Sequence, residues 1–310
     1  MSCLKHVLQI IDILDGPEAS GRKAKEILIE YGIKNVEVIP LSGPKGKTDF
    51  IKITIPGKNG KEKNGDAPTL GIIGRLGGVG ARPEITGIVS DADGAIVALA
   101  CAIKLGESQK RGDILEGDII ITTHITPSAP TKPHKPVPFM DSPVDIMKIL
   151  KHEVDPKMDA ILSVDATKGN RVIKVHGFAI TPTVKDGWIL KVSDDLINIY
   201  ERVTGDIVSV VPITMQDITP YIDNIYHINS IMQPWLMTSA PVVGVATTAR
   251  VPIPGCGTGA NYVLGLEQAT RFCVEVAKEF TSRNCKFYDG EEFKKLTKLY
   301  GDMSKIFRKI

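Results

Sequence analysis

The chain has 310 residues, 43% of them hydrophobic, and its formal net charge is +2. This length and apolar content can build a sizeable core, and no long polar tract divides the chain, so we expect one α/β domain over residues 1–310. The small net charge argues against nucleic acid and anionic membranes as partners, and the lack of an apolar run of roughly 18 residues or of a secretory signal predicts a soluble, cytoplasmic protein.

The first part of the chain predicts two helices followed by two strands. Apolar residues recur at helical spacing from Leu4 to Leu14, and Ser20 can cap a second helix that Gly32 ends. Residues 36–41 and 50–55 have the composition of strands.

One βαβ unit forms the centre of the sequence. An apolar run at 69–74 leads into a glycine-rich turn, a helix opens near residue 91, and a second apolar run covers 118–123. Short runs rich in Ile and Thr are typical of buried parallel strands. Polar residues collect after both strands, and this carboxyl edge is where open α/β sheets bind their ligands.

Arg75 and the glycines Gly77 and Gly78 follow the first strand of this unit. Their spacing matches neither the dinucleotide fingerprint nor the phosphate loop, so we expect no nucleotide cofactor. The glycines either allow a turn or a close backbone approach, or contribute to a binding site. Arg75 either holds a substrate carboxylate in a bidentate fork or pairs with Asp91 or Asp93.

Three more polar residues are candidates for the same edge. Asp91 opens a helix, where a carboxylate can cap backbone amides or bind a metal ion. His124 ends a strand and is either a metal ligand or general acid–base group, or a partner of a loop carbonyl. Asp165 ends the run 159–165, and parallel strands would place it beside the other two.

The remaining elements are expected at intervals along the chain. The proline-rich segment after His124 predicts an extended surface loop, and Ser142 is expected to cap the helix that follows it. Residues 171–176 and 207–213 have strand-like patterns, and a last buried strand is expected at 240–248. The final stretch, 291–310, predicts a solvated helix.

The five cysteines are scattered and contain no Cys-x-x-Cys pair, which argues against a disulfide framework and a structural zinc site. Cys256 lies among glycines before a helix that is expected from about Tyr262. It is an accessible thiolate, a neighbour of anion-binding backbone amides, or a packed small residue in a tight turn.

Four segments, taken in chain order, resemble the di-zinc exopeptidases, the aminopeptidase and deacylase superfamily. They are residues 72–77, the Asp91-x-x-Gly-Ala helix start, the strand to His124 and the run to Asp165. The resemblance implies a phosphorylase/hydrolase-like fold, which is a three-layer α/β/α domain with a mostly parallel mixed central sheet and no separate lid or dimerisation domain. It matches Asp91 to the bridging metal ligand and Asp165 to a later ligand. The chain is also identified as a member of a bacterial family of unknown function built on this core.

Several of the superfamily's usual ligands are absent. Arg75 and Gly77 stand where the first strand would supply His and Asp, no glutamate pair follows His124, and Cys256 lies in the region of the late histidine. Because a strong zinc site needs three or four donors, these losses should remove most of the zinc affinity. The resemblance therefore implies the fold more strongly than the zinc chemistry.

The first function that we expect is a metal-dependent hydrolase of amide bonds in small peptides or cyclic amides, with His124 and Arg75 in catalysis. One divalent ion, zinc or manganese, would be held by Asp91, Asp165 and His124. The residues expected to hold the substrate are Arg75, Gly77, Gly78 and Cys256.

Two other functions stay open. One is a catalytically inactive, metal-free protein that binds an anionic ligand or assembles through Arg75 and the glycine loop, since function does not follow from fold. The other is a thiol enzyme based on Cys256. We also expect a homo-oligomer, because related folds usually assemble.

Overall fold

The computed structural model describes residues 2–81, 85–214 and 219–304, with all side chains except those of residues 85 and 86. Its helices lie mainly at the two ends of the chain and between the central strands. They are α1 (Leu4–Leu14), α2 (Gly21–Glu30), α3 (Asp93–Lys110), α4 (Ile146–Glu153), α5 (Asp194–Thr204), α6 (Val263–Thr281) and α7 (Gly290–Tyr300). Short 3-10 helices cover Lys61–Lys63, Ser90–Ala92 and Ser230–Met237.

The strands alternate with these helices through the middle of the chain. They are β1 (Asn35–Gly43), β2 (Gly46–Ile55), β3 (Leu70–Gly74), β4 (Gly80–Ala81), β5 (Ile85–Thr86), β6 (Ile119–Ile125), β7 (Thr131–Lys132), β8 (Phe139–Met140), β9 (Ala160–Ala166), β10 (Gly177–Ile180), β11 (Val184–Lys185), β12 (Trp188–Ile189) and β13 (Val242–Thr248). The pairs β4–β5 and β7–β8 form separate two-stranded ribbons.

The large sheet has the strand order β1-β2-β6-β3-β9-β13-β11-β12, and β10 also pairs with β13. Its centre, β6-β3-β9-β13, is parallel, whereas β1 and β2 on one side and β10, β11 and β12 on the other are antiparallel. The predicted mixed sheet with a parallel centre is confirmed.

Side chains that alternate along the central strands divide between two cores. On one face, Leu162 and its neighbours pack against α1, α2, α3, α5 and α6. On the other face, Ile161 and its neighbours pack against the 3-10 helix Ser230–Met237 and the end of α4. Because β-strand side chains alternate between faces, both layers are buried by the same strands, and the predicted three-layer α/β/α fold is confirmed.

Some predicted elements differ in the structure. Residues 171–176 form no strand, and the segment 207–213 contributes only a bridge from Val210 to Ile180. The helix expected at Ser142 begins at Ile146, where Asp145 caps it by accepting a hydrogen bond from the amide of Lys148. The last helix ends at Tyr300; residues 305–310 of the predicted helix lie outside the described residues.

Candidate functional site

Three adjacent parallel strands carry Arg75, His124 and Asp165 to the same level of the sheet. Gly74, at the end of β3, pairs with Thr123 of β6 on one side and with Val164 of β9 on the other. The three polar residues are the next positions of these strands, so they share the carboxyl edge and the face covered by α4. The sequence-based expectation of a common edge therefore describes these three residues correctly.

The guanidinium of Arg75 lies in a buried ring of acceptors. Its Nη1 lies 3.2 Å from Oε2 of Glu153, its Nη2 donates to Oε1 of Gln233, and its Nε lies 3.8 Å from Oδ2 of Asp165. Each of these four residues is at most 3% exposed. We call Arg75, Glu153, Asp165 and Gln233, together with His124, the Arg75 cluster.

The partners of Arg75 differ from those predicted. It forms an ion pair with neither Asp91 nor Asp93; the carboxylates of Glu153 and Asp165 take that place. Two of its three guanidinium nitrogens already face protein oxygens, so a bidentate fork on a substrate carboxylate would have to compete with Glu153 and the buried amide of Gln233.

Burial favours the protonated form of Glu153 in the Arg75 cluster. One guanidinium faces two carboxyl groups in a region that water does not solvate, and burial raises the pKa of Glu153 while the charge of Arg75 opposes that rise. A carboxyl group with a raised pKa keeps its proton to a higher pH.

His124 is buried in its uncharged form. Its Nδ1 lies 3.0 Å from the hydroxyl of Thr48 and 3.2 Å from that of Thr126, while the Thr48 hydroxyl donates to the carbonyl of Ile125. Thr48 Oγ1 can therefore accept from Nδ1–H, which leaves the lone pair on Nε2. Burial, helped by the charge of Arg75, lowers the pKa of His124 to about 4. Nδ1 thus faces two hydroxyl groups and not the predicted loop carbonyl, while the roles of metal ligand and general acid–base group stay predictions.

Asp91 lies at the same edge but in a different environment. The start of α3 packs so closely on the turn after β3 that a Cβ at Gly94 would lie 1.9 Å from the carbonyl oxygen of Arg75. The amide of Asp91 donates to the carbonyl of Gly255, and its carboxylate packs against that glycine. The backbone of a distant loop thus takes the place of the predicted side-chain cap, and α3 has no side-chain cap.

A second buried ion pair lies at the beginning of α3. Oδ2 of Asp93 lies 2.5 Å from Nζ of Lys168 and accepts from the hydroxyl of Thr247, and its Oδ1 accepts from Asn261. Nζ of Lys168 also donates to the carbonyl of Ala260. These contacts tie the loop after β9, the end of β13 and the loop before α6 to one helix start.

The glycines Gly77 and Gly78 serve backbone packing in this structure. A Cβ at Gly77 would lie 1.5 Å from the carbonyl oxygen of His124, and the carbonyl of Gly77 accepts from the amide of Thr126. A Cβ at Gly78 would meet the side chains of Met140 and Val89. The interpretation as a close backbone approach is confirmed, and their part in substrate binding stays a prediction.

Cys256 is a packed residue. It is 9% exposed and belongs to a small apolar cluster with Val89, Ala129 and Met140. Burial and the nearby Asp91 raise the pKa of its thiol, which disfavours the thiolate that a thiol enzyme needs.

The predicted metal ligands make separate contacts. The Asp165 carboxylate lies beside Arg75, His124 Nδ1 faces hydroxyl groups, and Asp91 packs against a glycine. Within residues 2–81, 85–214 and 219–304, no three His, Cys, Asp or Glu side chains form a group that could hold a metal ion. The described donors thus do not fit a zinc or manganese site by themselves, and metal binding stays a prediction.

A surface cleft of about 1010 Å³ lies away from this edge. It adjoins Pro68, Asp159 and Pro241, which precede β3, β9 and β13 at the amino edge of the sheet. Its acidic lining includes Asp194 and Glu291, whose side chains are 76% and 80% exposed and paired with neighbouring lysines. Exposed pairs of this kind are typical of a solvated surface, so we place the candidate site at the Arg75 cluster.

Sequence reasoning missed Glu153, Gln233 and Lys168. Glu153 ends α4 and Gln233 lies in an irregular helix, and neither residue belongs to a motif. Lys168 carried a signal, since it follows Asp165 by three residues in the loop at the end of a predicted parallel strand. The rule that strand ends place polar residues at one edge of the sheet also applies to Lys168.

Comparisons with known proteins give a family and a likeness to solved structures. The model of a family described as a protein of unknown function, DUF1177, matches residues 40–309. The LapA aminopeptidase of Legionella pneumophila is similar in structure, with 11% identity, coverage of 90% of this chain and 70% of that chain, and a TM-score of 0.46. A search of curated proteins finds no match. In the part of the chain that the structure describes, no helix has the length and apolar character needed to cross a membrane.

Proposed function

We propose that this chain, which belongs to the DUF1177 family, hydrolyses amide bonds in small peptides or cyclic amides at the carboxyl edge of its central sheet. The observation that carries the proposal is the position of an uncharged histidine and a carboxyl group of raised pKa around one buried guanidinium. Perturbed acid–base groups that share a buried cluster are typical of active sites.

Amide hydrolysis needs a base that takes a proton from water and an acid that gives one to the leaving nitrogen. His124 suits the first role because its low pKa keeps it unprotonated and its Nε2 has no hydrogen-bond partner among the described residues. Glu153 suits the second role because its raised pKa favours the protonated form. Environments that push two pKa values apart are a known way to assign such roles.

Arg75 joins these groups into one unit. It contacts Glu153 and Asp165 directly, and its charge contributes to the low pKa of His124. A fixed guanidinium can also stabilise the negative charge that develops on a carbonyl oxygen during attack by water. We assign no step to a metal ion, because the described donors do not form a site for one.

The contacts of Arg75 disfavour the alternative function, a binding protein for an anionic ligand. A ligand carboxylate at Arg75 would displace Glu153 or Gln233 and bring further negative charge to a cluster that already has two carboxyl groups. Separating the buried Glu153 from its cation is costly, so this geometry disfavours an anionic ligand at Arg75.

In the test, the purified chain is incubated with a panel of dipeptides, N-acetyl amino acids and cyclic dipeptides. Mass spectrometry then detects the hydrolysis products. The panel is run without added metal, with zinc, with manganese and with a chelator. We expect His124→Gln to lower the rate by about 100-fold or more, since general acid–base catalysis contributes at least this much. The matched control is His176→Gln, because His176 is exposed on the protein surface.

Three results would contradict the proposal: no hydrolysis under any of these conditions, equal rates for His124→Gln and the wild-type chain, or an equal loss in the control variant. A rate that depends on added zinc or manganese and disappears in Asp91→Ala would restore the metal-dependent form of the hydrolase.

A further inference from the structure

The hydroxyl of Thr48 lies at the centre of a buried hydrogen-bond network beside His124. Its Oγ1 lies 3.0 Å from Nδ1 of His124, 2.8 Å from Oγ1 of Thr126 and 3.0 Å from the carbonyl oxygen of Ile125. We infer that Thr48 is a positioning residue, which holds the proton of the neutral His124 ring on Nδ1 and keeps the lone pair of Nε2 available. The inference rests on the proposed function and adds to it a residue that fixes the tautomer of its base.

The pairing of β2 with β6 brings these side chains together. The two strands are antiparallel, with Asp49 opposite Ile125. One further step along this register sets Thr48 opposite Thr126, and because strand side chains alternate between faces, both hydroxyls lie on the face of His124. Thr48, His124 and Thr126 are 1%, 4% and 2% exposed, so water competes little for their hydrogen bonds.

The donors and acceptors allow one assignment in which all three contacts of Thr48 are hydrogen bonds. A threonine hydroxyl has one proton to donate and two lone pairs that accept. The carbonyl oxygen of Ile125 can only accept, so the Thr48 proton points to it. The Thr48 oxygen then accepts from its other two neighbours, the Thr126 hydroxyl and the Nδ1–H of His124. The network of heavy atoms thus places the ring proton on Nδ1.

The opposite tautomer leaves this network incomplete. With the proton on Nε2, Nδ1 can only accept a hydrogen bond. Either Thr48 would then give up the Ile125 carbonyl, or Thr126 would turn from Thr48 to Nδ1 over a longer distance of 3.2 Å. Each choice lowers the number of hydrogen bonds that the buried Thr48 hydroxyl makes, which is unfavourable. The neutral ring of free histidine carries its proton mainly on Nε2, so the Thr48 hydroxyl reverses the intrinsic preference of the ring.

The tautomer decides whether His124 can act as a base. A general base needs an unprotonated nitrogen within reach of the proton that it takes. Nδ1 is enclosed by the hydroxyls of Thr48 and Thr126, whereas Nε2 has no hydrogen-bond partner among the described residues. With the proton on Nε2, the ring would present a donor in place of a lone pair, and the proposed reaction would lose its base.

The first test is nitrogen-15 NMR of the ring nitrogens in the purified chain at pH 7.5, with the His124 signals identified by their absence from His124→Gln. We expect a protonated Nδ1 and an unprotonated Nε2 in the wild-type chain. Thr48→Val removes the acceptor, so the proton should move to Nε2 as the Thr126 hydroxyl turns to Nδ1. The matched variant Thr126→Val also removes a hydroxyl beside the ring, but it leaves Thr48 in place and should keep the proton on Nδ1.

Three results of this test would overturn the inference. They are a wild-type ring with its proton on Nε2, a Thr48→Val ring that keeps its proton on Nδ1, and a change of tautomer in Thr126→Val. The wild-type spectrum and Thr126→Val decide the question even if Thr48→Val does not fold. Thr48→Ser keeps the hydroxyl and should keep the wild-type tautomer; a proton on Nε2 in this variant would also contradict the inference.

The second test is the rate of hydrolysis on the best substrate of the panel. Thr48→Val should lower the rate about 100-fold or more, as in His124→Gln, because both variants lose the base, and Thr48→Ser should recover most of the rate. The control is Thr54→Val on the same strand, because the Thr54 hydroxyl has no hydrogen-bond partner among the described residues.

The two tests separate this inference from the proposed function. Hydrolysis at equal rates by Thr48→Val and the wild-type chain would contradict the positioning role and leave the proposed function standing. The expected tautomers without hydrolysis by any chain would support the control of the His124 ring by Thr48 and contradict the proposed function alone.

Discussion

The pH dependence of stability tests the environment of His124 most quantitatively. Burial lowers its pKa in the folded chain from the ordinary 6.5 to about 4, so the unfolded chain binds more protons between these values. The stabilisation is complete above pH 6.5 and is lost as the pH falls toward 4. Each unit of pKa difference corresponds to about 1.4 kcal/mol, so the shift of His124 gives a total stabilisation of about 3 kcal/mol. About 2 kcal/mol of this stabilisation is lost by pH 5.

Glu153 acts in the opposite direction over an overlapping range. Its raised pKa means that the folded chain binds more protons, so its contribution is present below the ordinary 4.5 and is lost as the pH rises through the raised value. The wild-type curve alone therefore cannot isolate His124. The comparison with His124→Gln can, because the variant removes one titrating group and leaves the other.

The assay is urea unfolding of the wild-type chain and of His124→Gln at pH 7.5 and pH 5. For each chain, we subtract the free energy of unfolding at pH 5 from that at pH 7.5. We expect this difference to be about 2 kcal/mol smaller in His124→Gln than in the wild-type chain, whatever stability the variant loses at pH 7.5 through altered packing. The same measurement on His176→Gln, at an exposed position, should leave the wild-type pH dependence unchanged. Parallel pH profiles for the wild-type chain and His124→Gln would refute the description of His124 as a buried neutral base.

Arg75→Met should lower the free energy of unfolding by about 3–5 kcal/mol at pH 7, because it removes the buried cation that contacts the carboxyl groups of Glu153 and Asp165; a denaturation curve that matches wild type would contradict this. Gly77→Ala should cost about 1–3 kcal/mol or more, because its Cβ would lie 1.5 Å from the carbonyl oxygen of His124, whereas Gly290→Ala, with no atom within 4 Å of its Cβ, serves as the neutral control in the same melt. Cys256 should react with a thiol reagent at pH 7.5 only after unfolding, since its thiol is buried and its pKa is raised; mass spectrometry that locates rapid labelling there in the native chain would show an accessible thiolate instead.

The meeting of Arg75, His124 and Asp165 could be predicted because it depends on local rules. Each residue follows an apolar run of strand length, and parallel strands deliver their ends to one edge. The two-residue periodicity then places all three on one face. Glu153 could not be predicted in the same way, since it ends α4 and nothing in its local sequence shows which part of the sheet that helix covers.

The environment of Asp91 differs from the one that local sequence rules predict for a helix start. An acidic residue at a helix start is favoured as a cap. In the structure, the loop 255–261 pairs with residues 89–91, with its Gly257 and Gly255 carbonyls accepting the amides of Ser90 and Asp91. A contact between segments more than 160 residues apart thus replaces the local one. The segment 207–213 is a similar case, because a strand pattern cannot show whether a partner strand is available.

The rate of amide hydrolysis by Glu153→Gln tests the central claim, that the Arg75 cluster is a reactive site, most directly. Gln keeps the size of Glu153 and can still contact the guanidinium, but it cannot supply the proton that the leaving nitrogen requires. On the best substrate of the panel, at a pH where both chains are folded, we predict a loss of about 100-fold or more. Glu107→Gln on α3, away from the cluster, should keep the wild-type rate. Equal turnover by Glu153→Gln and the wild-type chain would contradict the claim.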